Sequence, residues 1–164
     1  MTQINFKGQT AHTSGQLPKT DSKAPAFNLV NAALADVTLD TYRGKRKVLN
    51  IFPSVDTPVC ATSVRKFNEL AAKAANTVVL CISADLPFAF KRFCGAEGIH
   101  NVETLSTFRS SFAKDYGVEL ADTVLKGLCS RAVLVLDAEN HVMYAEQVME
   151  ITQEPDYAKA LSVL

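Results

Sequence analysis

VLNIFPSVDTPVCATSVRKFNEL, residues 48–70, changes character twice. It opens on Val48, Leu49, Ile51 and Phe52, which extend Arg46 and Lys47 into RKVLNIF, a nearly continuous apolar run suited to a strand buried on both faces of a sheet. Pro53 ends the run. A polar turn follows, stiffened by Pro53 and Pro58, with Asp56 and Thr57 available as turn and helix-capping residues. From about Pro58 to Ala74 the period becomes helical: Cys60, Val64, Phe67 and Ala71 share one face, while Arg65, Lys66 and Glu69 point elsewhere. Strand, turn and helix in this order open an α/β sheet, with a single cysteine in the helix's first turn.

Outward from this stretch the alternation continues. Residues 3–6 and 10–13, split by Gly8, predict an N-terminal hairpin. SKAPAFNLVN and ADVTLDTYRGK read as two short strands, the second followed by a turn at Gly44. NTVVLCIS is another buried strand, LPFAFKRFCGAEG a helix that Gly95 is expected to stop, VETLS a short strand, and FRSSFAKDYG a short helix closed by Gly117. SRAVLVLDAENHVMYAEQV predicts a hairpin turning through Asp137–Asn140, and EPDYAKALSVL a closing amphipathic helix with Pro155 near its start. The parallel β-α-β beginning and antiparallel end match a thioredoxin-like α/β fold, a central mixed sheet flanked by helices, with an N-terminal hairpin extension.

Composition narrows the classes of function. The 164 residues fit one domain, with 48% apolar and 21% charged residues. Seventeen Lys and Arg balance seventeen Asp and Glu, and no basic run with interleaved aromatics occurs, which argues against nucleic acid as a partner. The polar start MTQINFKGQTAHTSGQ lacks the apolar core of a signal peptide, and no run approaches membrane-spanning length, so the expected location is the cytoplasm. Thiols stay reduced there, and the four cysteines (60, 81, 94 and 129) include no C-x-x-C pair and have only three scattered histidines for company. A structural zinc site fits poorly.

Cys60 admits two readings from its surroundings alone. It could be a small buried hydrophobe, as most free cysteines are. It could equally be a nucleophile, since a helix N-terminus favours an anion and the apolar face aims the sulfur inward, toward a pocket floor. The motif around it sharpens the choice. Pro53, Thr57 and Cys60 form P-x-x-x-T-x-x-C, which resembles the peroxiredoxin signature. The longer blocks VLNIFPSVDTPVCATSVRKFNEL, NTVVLCISADLPFAFKRFCGAEG and ITQEPDYAKAL are similar to one branch of that family, the bacterial thiol peroxidases, and the similarity runs over nearly the whole chain.

The resemblance implies a role for each residue. Cys60 would be the peroxidatic cysteine, oxidised to a sulfenic acid. Thr57 would align the peroxide with the sulfur, Pro53 would shield the site from water, and Arg131 would stabilise the thiolate and the leaving oxygen. Arg131 begins the strand AVLVLD, which in this fold runs antiparallel to RKVLNIF and so starts at the sheet edge where the Cys60 helix begins. Cys94 matches the resolving cysteine, implying an intrachain Cys60–Cys94 disulfide recycled by thioredoxin. Because both cysteines start on helices, forming that disulfide should require local movement around each. Alkyl and lipid hydroperoxides with hydrogen peroxide as substrates, a homodimer, and no metal, haem or other cofactor are implied as well.

Cys81, inside a strand, reads as core filler. Cys129 departs from the family pattern and, two residues before Arg131, is expected near the pocket. Phe27, Phe52, Phe88 and Phe93 are the candidates to line a pocket for long-chain substrates. Two alternatives compete: a thioredoxin-type oxidoreductase, which needs a second cysteine where Ser63 stands, and a non-catalytic redox sensor built on the same Cys60.

Overall fold

The computed structural model describes residues 1–164. RKVLNIF forms β5 (Arg46–Ile51), an interior strand of a seven-stranded sheet. Ahead of it lie the hairpin β1 (Gln3–Phe6) and β2 (Gln9–His12), then the two-residue strands β3 (Leu29–Val30) and β4 (Asp36–Val37). After it come α1 (Pro58–Ala71), β6 (Thr77–Ser83), α2 (Pro87–Glu97), β7 (Glu103–Ser106), α3 (Phe112–Asp115), β8 (Ala132–Leu136), β9 (Val142–Gln147) and α4 (Tyr157–Leu161). The sheet order is β4-β3-β7-β6-β5-β8-β9, and the β1-β2 hairpin stands apart from it. β5, β6 and β7 are parallel, whereas β8 runs antiparallel to β5 and β9 antiparallel to β8. This is the thioredoxin-like arrangement read from the sequence, including the terminal hairpin.

Apolar residues alternate between two cores because both sheet faces are covered. Leu49 and Ile51 pack with Leu80, Ile82, Leu134 and Phe112 on one face. Val48 packs with Val79, Cys81, Val133 and the helical residues Val64, Phe67, Phe90 and Phe93 on the other. Burial of Val64 and Phe67 contributes about 1.5–3 kcal/mol each toward holding α1 on the sheet. No helix is long and apolar enough to cross a membrane.

Several element boundaries differ from the sequence reading. The strands expected in SKAPAFNLVN and ADVTLDTYRGK shrink to Leu29–Val30 and Asp36–Val37, the latter giving way to a 3-10 turn over Leu39–Tyr42. The first helix ends at Ala71 rather than Ala74. Gly95 does not stop α2. The helix runs on to Glu97 and is closed by Gly98, whose left-handed backbone (φ 65°) lets its N–H bond the Cys94 carbonyl. Cys94 therefore lies inside the last turn of α2. Pro155 precedes α4, whose cap is the Asp156 carboxylate, accepting the Lys159 N–H at 3.0 Å.

Candidate active site

Everything in the site hangs on the end of β5. There Ile51 pairs with Ala132 of β8, so Arg131 stands just beyond the last residue pair, level with Phe52 and Pro53. The register required by the antiparallel β8 thus delivers Arg131 to the edge where the Cys60 turn begins. Arg131 is 2% exposed, yet it takes part in none of the molecule's salt bridges. Its Nε donates to the Ile151 carbonyl at 2.7 Å, and one terminal nitrogen donates to Cys60 Sγ at 3.2 Å. The other, Nη1, is buried without a partner.

A buried guanidinium with no carboxylate is expensive unless an anion neutralises it. The group it meets is the Cys60 sulfur, at 3.2 Å. Helix α1 meets the same sulfur with its N-terminal end. Cys60 is its third residue, and the first intrahelical bond runs from the Ala61 N–H to the Thr57 carbonyl at 3.0 Å. The N–H groups ahead of it belong to the positive end of the helix. Cys60 itself is 0% exposed.

The turn holds the other two motif residues. Thr57 occupies the N-cap position by backbone conformation, but its hydroxyl donates to the Ser54 carbonyl at 2.9 Å and caps no helical N–H. The capping expected of Asp56 and Thr57 is therefore absent. Asp56 instead pairs with Arg92 of α2 at 2.7 Å. Pro53, Thr57 and Arg131 line a cleft of about 280 Å³ whose remaining walls include Phe6, Leu125, Leu128 and Ile151. Cys60 is not part of this lining, so the sulfur sits behind the cleft wall rather than forming its floor. Arg131 belongs to both.

The phenylalanines proposed for the pocket lie elsewhere. Phe27 packs edge-to-face on Phe112 in the opposite core, at 5.9 Å between ring centroids. Phe52 packs on Phe90 at 6.4 Å, and Phe93 joins the same core, where both seat α2 on the sheet. Phe88 is 66% exposed. The residues that do form the apolar wall come from the N-terminal hairpin, Val59 of α1, the 125–128 segment and residue 151, and no single local pattern connects them.

All four cysteines are free. Cys94 is half-buried on α2, at the edge of the core that contains Cys60, and burial pushes its thiol up. Cys81 is sealed in β6, where burial pushes it up to about 12 despite a weak donor from Asn50. Cys129 is not near the cleft. It is fully enclosed in the core on the other sheet face, and its thiol is likewise pushed up to about 12 by burial. Its proximity to Arg131 in sequence misleads because both residues precede β8, which begins at Ala132, so the alternation that would put positions 129 and 131 on one face does not extend to them. Ser63, where a thioredoxin-type site needs its second cysteine, is buried, accepts from Asn50 at 3.2 Å and donates to the Cys60 carbonyl at 2.8 Å.

Two residues outside the motif brace the site. The Asp85 carboxylate accepts the Ser54 hydroxyl and the Val55 N–H, both at 2.7 Å. The Glu150 carboxylate accepts the N–H groups of Lys7 and Gly8 at 3.0 Å each, pinning the tip of the N-terminal hairpin beside the cleft. Sequence reasoning missed both, since each acts on backbone donors far away in the chain.

Comparison with known proteins agrees with this geometry. A family profile described as Redoxin matches residues 19–161. The thiol peroxidases of Mycobacterium tuberculosis and Mycobacterium bovis are each 55% identical to this chain over 164 residues, covering 100% of it and 99% of the relative. Among solved structures, a peroxiredoxin-like protein from Aquifex aeolicus superposes with a TM-score of 0.93 at 36% identity, covering 100% of this chain and 98% of its own. The thiol peroxidase from Chromobacterium violaceum has the same fold, with a TM-score of 0.91 at 24% identity over 98% of this chain and 94% of its own.

Proposed function

The chain belongs to the Redoxin family, and on that premise we propose that it is a thiol-dependent peroxidase with Cys60 as nucleophile and Cys94 as resolving thiol. The observation that carries the assignment is Arg131: a buried cation, bonded to Cys60 Sγ, with its Nη1 donor unspent. That donor is available to an oxygen arriving through the cleft that Arg131 lines.

In the proposed cycle the Cys60 thiolate attacks one peroxide oxygen, the O–O bond breaks, and the alkoxide leaves with the electron pair. Arg131 Nη1 stabilises the charge accumulating on the departing oxygen, which then takes a proton to become an alcohol. Thr57 and Pro53, on the rim, orient the peroxide and keep water out. The Cys60 sulfenic acid condenses with the Cys94 thiol, releasing water and forming a disulfide. Two electrons and two protons from a dithiol reductant, for which thioredoxin is the candidate, restore both thiols. The apolar wall of Phe6, Leu125, Leu128 and Ile151 suits alkyl and lipid hydroperoxides, with hydrogen peroxide small enough to enter as well. A homodimer in the reducing cytoplasm is the working form proposed.

Thiol counting with intact mass, before and after one equivalent of cumene hydroperoxide, tests the cycle. The wild-type chain should lose two of its four thiols and two hydrogens, without forming a disulfide-linked dimer. Cys60→Ser should leave the peroxide unconsumed. Cys94→Ser should consume one equivalent and stop one oxygen heavier. A Cys94→Ser variant that still turns over with thioredoxin overturns the choice of resolving thiol.

A further inference from the structure

The cycle, if it runs as proposed, makes opposed demands on residues 54–57. They must be fixed while the peroxide reacts and must come away when Cys94 approaches Cys60. Within the turn, the Thr57 N–H and hydroxyl both donate to the Ser54 carbonyl, at 3.1 and 2.9 Å, and the Asp56 N–H donates to the Ser54 hydroxyl at 3.2 Å. These bonds shape the turn but do not fasten it to anything.

The fastening comes from the segment that joins β6 to α2. Asp85 receives Ser54 Oγ on one carboxylate oxygen and the Val55 N–H on the other, each at 2.7 Å, while Ser83 Oγ donates to the second oxygen from the strand end. Three donors on one carboxylate leave it little freedom, and hydrogen bonds to an ionised acceptor are the strong ones. The remaining polar tie is Asp56 to Arg92, an ion pair whose side chains are largely exposed and therefore weak. Asp85 lies two residues before Pro87, the first residue of α2, and Arg92 lies two residues before Cys94. Every polar tie of the Cys60 turn to another segment thus leads to the element carrying the proposed resolving thiol.

We propose that Asp85 is a positioning residue that couples the two half-reactions: its carboxylate clamps the turn for the peroxide step and is the point of release for the disulfide step. Asp85 touches neither sulfur and acts through Ser54 and Val55. When α2 shifts to bring Cys94 forward, the strand end that carries Asp85 is drawn with it, and the turn is unlatched by the movement that supplies its new partner. The inference rests on the peroxidase reading of Cys60 and Cys94.

Asp85→Asn tests it. The amide keeps the shape but offers a single acceptor oxygen, so either the Ser54 hydroxyl loses its acceptor, or the Val55 N–H and the Ser83 hydroxyl do. Stopped-flow mixing with cumene hydroperoxide should show oxidation of Cys60 slowed about tenfold, the effect of losing one bond to a charged acceptor. Disulfide formation after a peroxide pulse should instead be several-fold faster than wild type, and less sulfinic acid should accumulate at high peroxide. Ser54→Ala, which removes one donor, should shift both rates the same way by less. A variant merely less stable would not move the two steps in opposite directions. Unchanged rates, or two rates falling together in both variants, overturn the clamp. A wild-type chain that forms no sulfenic acid overturns the peroxidase reading instead, and this inference with it.

Discussion

Replacing Arg131 with methionine separates catalysis from stability in a way few substitutions at this site could. Methionine fills much of the same apolar stem volume and removes the guanidinium. Two interactions in the peroxide step disappear. The donor to Cys60 Sγ at 3.2 Å is a bond to a charged group, worth about 1.5–3 kcal/mol. The unspent Nη1, as a donor to the leaving oxygen, is worth about 2.7–4 kcal/mol. Even the sum of the two lower values, about 4 kcal/mol, corresponds to a roughly 10³-fold slower reaction at 1.36 kcal/mol per factor of ten. Stability should respond differently. Removing a buried cation with no carboxylate partner is neutral or stabilising by about 1–4 kcal/mol, while the abandoned Ile151 carbonyl costs about 1–3 kcal/mol. These offset, so the melting temperature should stay within about 5 °C of wild type. Single-turnover oxidation by cumene hydroperoxide, run beside a thermal melt, reads both. A variant that keeps a tenth of the wild-type rate, or loses rate only where it unfolds, refutes the role given to the guanidinium. Arg131→Lys should fall in between, because an ammonium cannot reproduce the planar fork that reaches Ile151, Cys60 and the cleft together.

Glu150→Gln should loosen the hairpin tip and with it the Phe6 wall, raising KM for cumene hydroperoxide several-fold while leaving hydrogen peroxide kinetics nearly unchanged; equal effects on both substrates would refute a role in selecting apolar peroxides. The wild-type latch should survive mild acid: backbone N–H donors, Gly8 first, hold the Glu150 carboxyl down at about 2, so its stabilising contribution is present above the ordinary carboxylate range and fades only as pH falls toward 2. At the alkaline end the sign reverses. Burial pushes Cys81 and Cys129 up from 9.0 to about 12, so the folded state keeps protons that the unfolded chain releases, and stability declines as pH rises from about 9 toward 12. Between pH 8 and 10 the two thiols together should cost roughly 3 kcal/mol, seen by urea unfolding under reductant. A Cys81→Ala, Cys129→Ala double variant should lose that part of the slope, and an unchanged slope would show that the thiols are not its source.

How much of this was legible in the sequence depends on how far apart the cooperating residues lie. Residues 46–71 declared their strand, turn and helix because each carries its own period, and the Cys60 face came out as read, with Val64 and Phe67 fully buried beneath it. Arg131 could be located because antiparallel pairing with β5 is a property of topology, not of detail. The helix end was misread because Gly95 and Gly98 both suit a C-cap; only the backbone distinguishes them, and Gly98 is the one with positive φ. The phenylalanines were misassigned for a related reason. A large ring serves a core or a cleft equally well, and three of the four were needed to seat helices on the sheet. Asp85 and Glu150 left no trace at all, because a carboxylate that receives backbone N–H groups from distant segments needs no partner side chain that a motif could record.

The burial of Cys60 also constrains when the proposed cycle could resolve it. Its sulfur has no exposed surface, and the Arg131 charge beside it is strong because water is excluded. Cys94 is half-buried and its thiol is pushed up, so inside the intact fold it offers little thiolate with which to attack a sulfenic acid. In the proposed cycle a movement of α2 would answer both difficulties together, since it would carry the second sulfur toward the first and return it to water, where a thiol ionises more readily. An order for the proposed cycle follows: oxidation in the closed form, release, then condensation. The ion pairs between the segments, Asp56–Arg92 and Arg65–Glu97, are too exposed to set the barrier to release. In the proposed cycle it would lie in the less exposed contacts, the part-buried bonds of the Asp85 carboxylate to the turn and the buried Phe52–Phe90 contact beneath it.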